Sequence, residues 1–228
     1  MSDLHQHYVD YYQQSLTLIA LANKEQIMPV IVVANPKGGV GKSTLATNLA
    51  GYFTFQGYNV MLGDVDVQQS SRSWLALRSE ALPPISAWEI IDGHIAKPPK
   101  GTTHMVLDTP AGLHGEQLTK VLKIADKVIV PLQASMFDIL ATQEFLQKLK
   151  DQHGKQQIGV LGMRVNSRTR AAEQLSHYVN SLGLPVLGFF ARHAKLYSAR
   201  RTRYDAMGRR TVKGGKGYRA VARIDQLG

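Results

Sequence analysis

The apolar, β-branched run Met28-Pro-Val-Ile-Val-Val-Ala34 leads into a glycine-rich string, Pro36-Lys-Gly-Gly-Val-Gly-Lys-Ser-Thr44. Leu45, Leu49, Tyr52 and Phe53 then recur at helical spacing within Ser43–Phe55. Strand, glycine loop and helix in that order confine the chain to an α/β fold, with the loop at the carboxyl end of a buried parallel strand. Gly41-Lys42-Ser43 is the core of a phosphate-binding loop. Backbone N–H groups along Gly38, Gly39, Val40 and Gly41, joined by those of Ser43 and Thr44 at the start of the helix, are suited to cradle an anion. Lys42 is expected to reach the β- and γ-phosphates and Ser43 to ligate Mg²⁺.

One residue departs from the ordinary pattern. The position five before Gly41, normally glycine, is Pro36, and a lysine follows it at Lys37. A second cation so close to Lys42 is poorly served by the same phosphate from its own side. It makes sense if Lys37 reaches a nucleotide held by a facing subunit. The run Lys37-Gly-Gly-Val-Gly-Lys42-Ser43 resembles the deviant phosphate-binding loop of the ParA/MinD family of ATPases. That resemblance implies ATP and Mg²⁺ as cofactors, slow hydrolysis to ADP and phosphate, and an ATP-dependent sandwich homodimer in which Lys37 acts across the interface.

Further residues fit the same chemistry. Asp64 and Asp66, in Leu62-Gly-Asp-Val-Asp-Val-Gln-Gln-Ser70, follow the second strand. Carboxylates at that end of a sheet sit beside bound phosphates and need Mg²⁺ or water between. The resemblance implies that Asp66 orients the attacking water and that Asp64 supports the shell around Lys42 and Mg²⁺. Val67 stands where relatives carry proline, and Asp66-x-Gln-x-Ser-x-x-x-Trp74 resembles small plasmid-partition members in particular. Met105-Val-Leu-Asp108 is an apolar strand ending in an acid, the Walker B pattern, so Asp108 is the expected Mg²⁺ support opposite Ser43. Gly112 gives the following loop freedom to shift with the γ-phosphate. Asn166 closes a later strand on the same side; relatives use that strand end for adenine, while asparagine is equally a turn and N-cap residue.

Charge is distributed unevenly. The 228 residues carry a net +10, and between Arg192 and Arg223 eleven Lys/Arg face a single acid, Asp205. A one-sided basic end points to a polyanion partner, nucleic acid or an anionic membrane surface. Arg192 and Lys195 match a segment with which relatives bind DNA without sequence preference, and Arg200, Arg201, Arg203, Arg209 and Arg210 extend that charge. Two basic faces in a dimer would let ATP control DNA affinity by avidity. In the closing stretch only Val221, Ile224 and Leu227 form an apolar face, too small for a membrane-anchoring helix, so DNA is favoured over lipid and no membrane insertion is expected. Cysteine is absent, which removes disulfides, cysteine-bound zinc and thiolate-held clusters. The histidines show no metal-ligand spacing, and Gly-x-Ser-x-Gly is absent.

The order of elements predicts a single α/β domain at 29–228, a mostly parallel twisted sheet with helices on both faces, preceded by a helical extension at 1–28. Strands are expected at 28–34, 59–63, 105–107, 128–131, 158–165 and 186–190. Helices are expected at 8–25, 43–55, 70–81, 113–125, 134–153 (closed by Gly154), 169–182 (closed by Gly183) and 217–226. Paired prolines flank an irregular crossover with one short strand around Trp88-Glu-Ile-Ile. The family likeness spans about 28–226, strongest over 30–112. It implies a cytoplasmic, nucleoid-associated ATPase that positions DNA or another large cargo, released by a ParB-like or other cargo-bound stimulating protein. Two other classes share the loop: a MinD-like membrane-surface regulator, and a metabolic ligase or synthetase acting as a monomer.

Overall fold

Alternate residues of the first strand serve opposite layers. The side chains of Val30 and Val32 join one buried cluster, and those of Ile31 and Val33 join the other. A strand buried on both faces needs helices above and below it. The computed structural model, which describes residues 28–91, 94–96, 98–151, 156–166 and 168–189, supplies them. In chain order the elements are β1 Val30–Val33, α1 Lys42–Phe55, β2 Val60–Asp64, α2 Ser70–Ala76, β3 Ile85–Trp88, β4 Ile90–Ile91, β5 His94–Ile95, β6 His104–Asp108, α3 Gly115–Ile124, β7 Lys127–Gln133, α4 Met136–Asp151, β8 Gln157–Met163, α5 Arg170–Ser181 and β9 Val186–Phe189.

Seven strands form one sheet in the order β3-β2-β6-β1-β7-β8-β9, and every neighbouring pair is parallel. The expected α/β sheet is therefore parallel throughout, and β4 and β5 form a separate antiparallel pair. Helix α1 contributes Leu45, Leu49 and Phe53 to the cluster on one face; α3, α4 and α5 contribute Leu118, Leu146 and Leu175 to the other. After β1 the chain moves outward to β2, and after β6 it passes β1 to reach β7. The order reverses beside β1, the place where open parallel sheets bind ligands at their carboxyl ends.

Several boundaries differ from the sequence reading. Helix α2 stops at Ala76 instead of running to 81, because Leu77 is 86 % exposed and finds no core to face. Arg78 Nη2 then donates to the Pro83 carbonyl at 2.7 Å and fixes the turn. Strand β7 runs to Gln133 through Pro131, beyond its paired register with β1, which ends at Val33↔Ile129. There the Pro131 carbonyl accepts a side-chain amide, Asn35 Nδ2, at 2.9 Å, so proline interrupts no ladder on that side. The Trp88 region holds an edge strand and the small pair, not one strand: Trp88 is buried and its Nε1 donates to the Ala96 carbonyl at 2.9 Å. Gly183, at φ +70, closes α5 as expected. The helices at 8–25 and 217–226, the cap at Gly154 and the basic segment from Arg192 lie outside the described residues.

Phe53 anchors the α1 face. It is fully buried, stacked on His104 at 4.6 Å between centroids and edge-on to Tyr52 and Tyr58. Phe53→Ala is expected to cost about 3–5 kcal/mol in urea unfolding, since a ring-sized void in a two-sided core cannot collapse. A loss under about 1 kcal/mol would mean that α1 is held elsewhere.

Candidate functional site

The loop between β1 and α1 is held in place from beneath. Asn35 is fully buried; its Nδ2 donates to the Pro131 carbonyl at 2.9 Å and to Thr142 Oγ1 at 3.3 Å. Its Oδ1 accepts the Lys37 N–H at 2.8 Å, which sets the first turn of the loop. Val40 is buried as a peg, and Gln133 Nε2 donates to the Gly39 carbonyl at 3.0 Å. Gly41 caps α1 with φ +100, a left-handed conformation that favours glycine, and the Met163 methyl packs where a Cβ would project.

The two loop lysines have partners within the chain. Lys42 Nζ donates to the Lys37 carbonyl at 3.0 Å, bridging its own loop. Burial lowers its pKa, opposed by the charges of Asp108 and Asp66. Lys37 Nζ pairs with Asp138 in the first turn of α4, a mostly buried acid also bonded to Ser135. Around this pair Met136, Phe137 and Leu140 are exposed at 57 %, 80 % and 57 %.

Asp108 ends β6 opposite Val33, in register with Asp64 on its other side. It is fully buried, and Oδ2 accepts from Ser71 Oγ at 2.7 Å. Burial pushes its carboxyl up to about 6 and the charge of Asp64 adds to the rise; the Ser71 bond, the nearby Ser43 hydroxyl and the Lys42 charge pull the other way. Asp108 Oδ1 is buried with no hydrogen-bond partner. An orphaned carboxylate oxygen beside Ser43, at the foot of a phosphate loop, fits a water of a bound Mg²⁺, so Ser43 and Asp108 are the residues that would hold the ion. Thr109 Oγ1 donates to the Val33 carbonyl at 2.9 Å, and the Gly112 N–H to the Pro36 carbonyl at 2.7 Å, with Gly112 at φ +73. The loop after β6 is thus stitched to the phosphate loop.

The Asp64 and Asp66 carboxylates have different surroundings. Asp64 Oδ1 accepts the Asp66 N–H at 3.0 Å, and its Oδ2 those of Ser71 and Arg72 at 2.8 and 3.2 Å. It holds the loop and the start of α2. Asp66 is half-buried and takes the Gln68 N–H at 3.0 Å, with Val67 beside it 92 % exposed. Asn166 is exposed past β8; its Oδ1 accepts the Arg168 N–H at 3.1 Å in a turn leading to Thr169, which caps α5. Asn35, Ser71, Gln133 and Asp138 are the site residues that the sequence reading missed. Asn35 abuts the loop in sequence, but its anchors at Pro131 and Thr142 are tertiary, as are the pairings of Gln133 with Gly39, Asp138 with Lys37 and Ser71 with Asp108.

A phosphate loop with its lysine, a buried strand-end acid on the adjacent strand and a parallel sheet identify a nucleotide-binding domain. The family model described as the CobQ/CobB/MinD/ParA nucleotide binding domain matches residues 31–203. The chain belongs to this family. It is 29 % identical over 172 residues to the maintenance of carboxysome distribution protein A of Gloeobacter kilaueensis, covering 74 % of this chain and 78 % of that one. It is 27 % identical over 182 residues to the chromosome-partitioning ATPase Soj of Thermus thermophilus, covering 64 % of this chain and 73 % of that one. In fold it is similar to a putative plasmid partition protein from Borrelia burgdorferi bound to AMPPNP, with a TM-score of 0.63 at 16 % identity, covering 87 % and 98 % of the two chains. Like other members of the ParA/MinD branch, the chain is a P-loop nucleotide-binding protein. No helix among the described residues is long and apolar enough to cross a membrane.

An acid that titrates near 6 in the fold, against 3.8 when free, contributes its stability below pH about 4 and loses it as the pH rises through about 6. Ligand-free Asp108→Asn is therefore expected to melt several °C above wild type at pH 7.5, a gap that narrows toward pH 5 in thermal unfolding.

Proposed function

We propose that this member of the family is a ParA-type ATPase that positions DNA or another large cargo through an ATP-dependent dimer. The observation that carries the reading is the pair of loop lysines. Lys42 bonds a carbonyl of its own loop, while Lys37 pairs with Asp138 at the start of α4. A lysine held there suits a role on a neighbour's nucleotide. The exposed Met136, Phe137 and Leu140 around it suit a face that another protomer covers. The names of the relatives, a carboxysome-distribution protein and a chromosome-partitioning ATPase, agree with a positioning role.

In this mechanism the loop N–H groups and the α1 N-terminus take the ATP phosphates, and Lys42 leaves the Lys37 carbonyl for the β- and γ-oxygens. Ser43 and Asp108 would hold Mg²⁺, which when bound would neutralise charge on the phosphate oxygens. Asp66 orients the water that attacks the γ-phosphorus, and the products are ADP and phosphate. Lys37 of each protomer leaves Asp138 and stabilises charge on the phosphoryl group bound by the other. Asp64 keeps the Asp66 loop in place, and Asn166 stands at the strand end proposed for the adenine. Arg192, Lys195, Arg200, Arg201, Arg203, Arg209 and Arg210 give the dimer its affinity for nonspecific DNA, and a cargo-bound partner of ParB type speeds hydrolysis and release. The protein is then cytoplasmic and nucleoid-associated.

The decisive experiment compares wild type and Lys37→Ala by light scattering with ATP and Mg²⁺, and by turnover. The variant is expected to stay monomeric and to lose about 10³-fold in stimulated turnover, the scale of a cation supplied across an interface. Dimerisation at wild-type strength would remove the trans role. Asp138→Asn releases Lys37 from a part-exposed pair and should shift the dimer midpoint to about two- to fivefold lower protein concentration, an effect absent when Lys37 is also replaced. DNA affinity should fall steeply with salt and show no sequence preference. Flotation with anionic liposomes in place of DNA binding would favour the membrane-surface reading.

A further inference from the structure

Ser71 is a hydroxyl with no exposure, at the start of a short helix whose Trp74 and Leu75 pack half-buried against the α1-side core. Its Oγ donates to Asp108 Oδ2 at 2.7 Å, and its own N–H donates to Asp64 Oδ2 at 2.8 Å. Asp64 and Asp108 are register partners on adjacent strands. Val65 N–H donates to the Asp108 carbonyl at 3.1 Å, so the segment from Asp64 to Ser71 is tied to Asp108 at both ends. Asp66 lies within that closed segment.

The geometry points to Ser71 as a positioning residue for the metal–nucleotide site, a role that rests on the nucleotide reading above. By occupying Oδ2, the hydroxyl fixes the rotation of the Asp108 carboxylate and leaves Oδ1, the oxygen without a partner, available to accept from a metal-bound water. The same bond tethers the far end of the Asp66 segment to the carboxylate that supports the ion. Metal support and water orientation are thereby coupled through one buried hydroxyl. Removing it lets the carboxylate rotate and lengthens the free path of the Asp66 segment, while the phosphate loop, built from Asn35 to Thr44, keeps its own supports.

The test titrates Mg²⁺ into wild type, Ser71→Ala and Ser71→Thr with a fluorescent ATP analogue, with parallel binding in EDTA and a thermal melt of each protein. Ser71→Ala is expected to need about 10-fold more Mg²⁺ for half-saturation, the scale of losing a residue that orients a metal ligand. Its affinity for the analogue in EDTA should stay that of wild type. Ser71→Thr, which keeps the hydroxyl, should recover most of the Mg²⁺ dependence. In turnover the alanine variant should lose kcat at saturating Mg²⁺ more than it gains in KM for ATP. An unchanged Mg²⁺ midpoint in Ser71→Ala overturns the assignment, as does an equal loss of affinity with and without Mg²⁺, which marks a merely structural role. If Ser71→Ala does not fold, a Ser71→Thr protein with a lowered melting point but the wild-type Mg²⁺ midpoint supports the assignment, and one whose midpoint rises about 10-fold although the hydroxyl is kept overturns it. Wild-type protein that binds no analogue at all would instead overturn the nucleotide site itself.

Discussion

The pairing of β1 with β6 is the constraint on which the site depends. It sets Val33 against Asp108, so the strand that launches the phosphate loop ends level with the strand that ends in the buried acid. Because the strands are parallel, both termini reach the same edge, and β2 brings Asp64 there through its own register with Asp108. The stitches between the loops, from Thr109 to Val33 and from Gly112 to Pro36, are possible only at that common height. A one-residue slip would turn Asp108 to the opposite face of the sheet and separate these groups.

Electrostatically the site is a set of provisional bonds. Lys42 rests on a carbonyl of its own loop and Lys37 on Asp138, so neither cation is left without a partner before an anion arrives. Asp108 is the costly member: a fully buried carboxylate whose ionised form is opposed by burial and favoured by two hydroxyls and a lysine. An apolar residue would serve the fold better there, which is the usual trade of stability for function at a binding site. Removal of water from around such groups would also make each dipole worth more to the phosphates of the proposed nucleotide.

The larger features were legible because they depend on local chemistry. Unbroken apolar, β-branched runs marked the buried strands, and glycine spacing marked the loop. Helix α2 is the instructive failure: Leu77 continues an acceptable helical pattern, yet contact with the core ends at Leu75 and the turn after Ala76 is closed by Arg78 reaching Pro83. Pro131 misled in the other direction. Proline forbids a central strand only where its missing N–H is needed, and β1 has already ended at that height. Trp88 marked a buried position, but the division into an edge strand and a separate small pair depends on which neighbour each segment meets.

Within the site the same division holds. A chain of this composition, by itself, determined an α/β sheet, a phosphate loop with a second lysine and a strand-end acid, because those signals are set by residues within about ten positions of one another. Tertiary structure alone decided that Asn35 supports the loop from beneath, that Asp138 receives Lys37, and that Ser71 selects one oxygen of Asp108. These contacts join residues far apart in the chain, and no periodicity encodes them. They exist because the strand order folds the segments after β1, β2, β6 and β7 onto one edge, where burial obliges each polar group to find its partner.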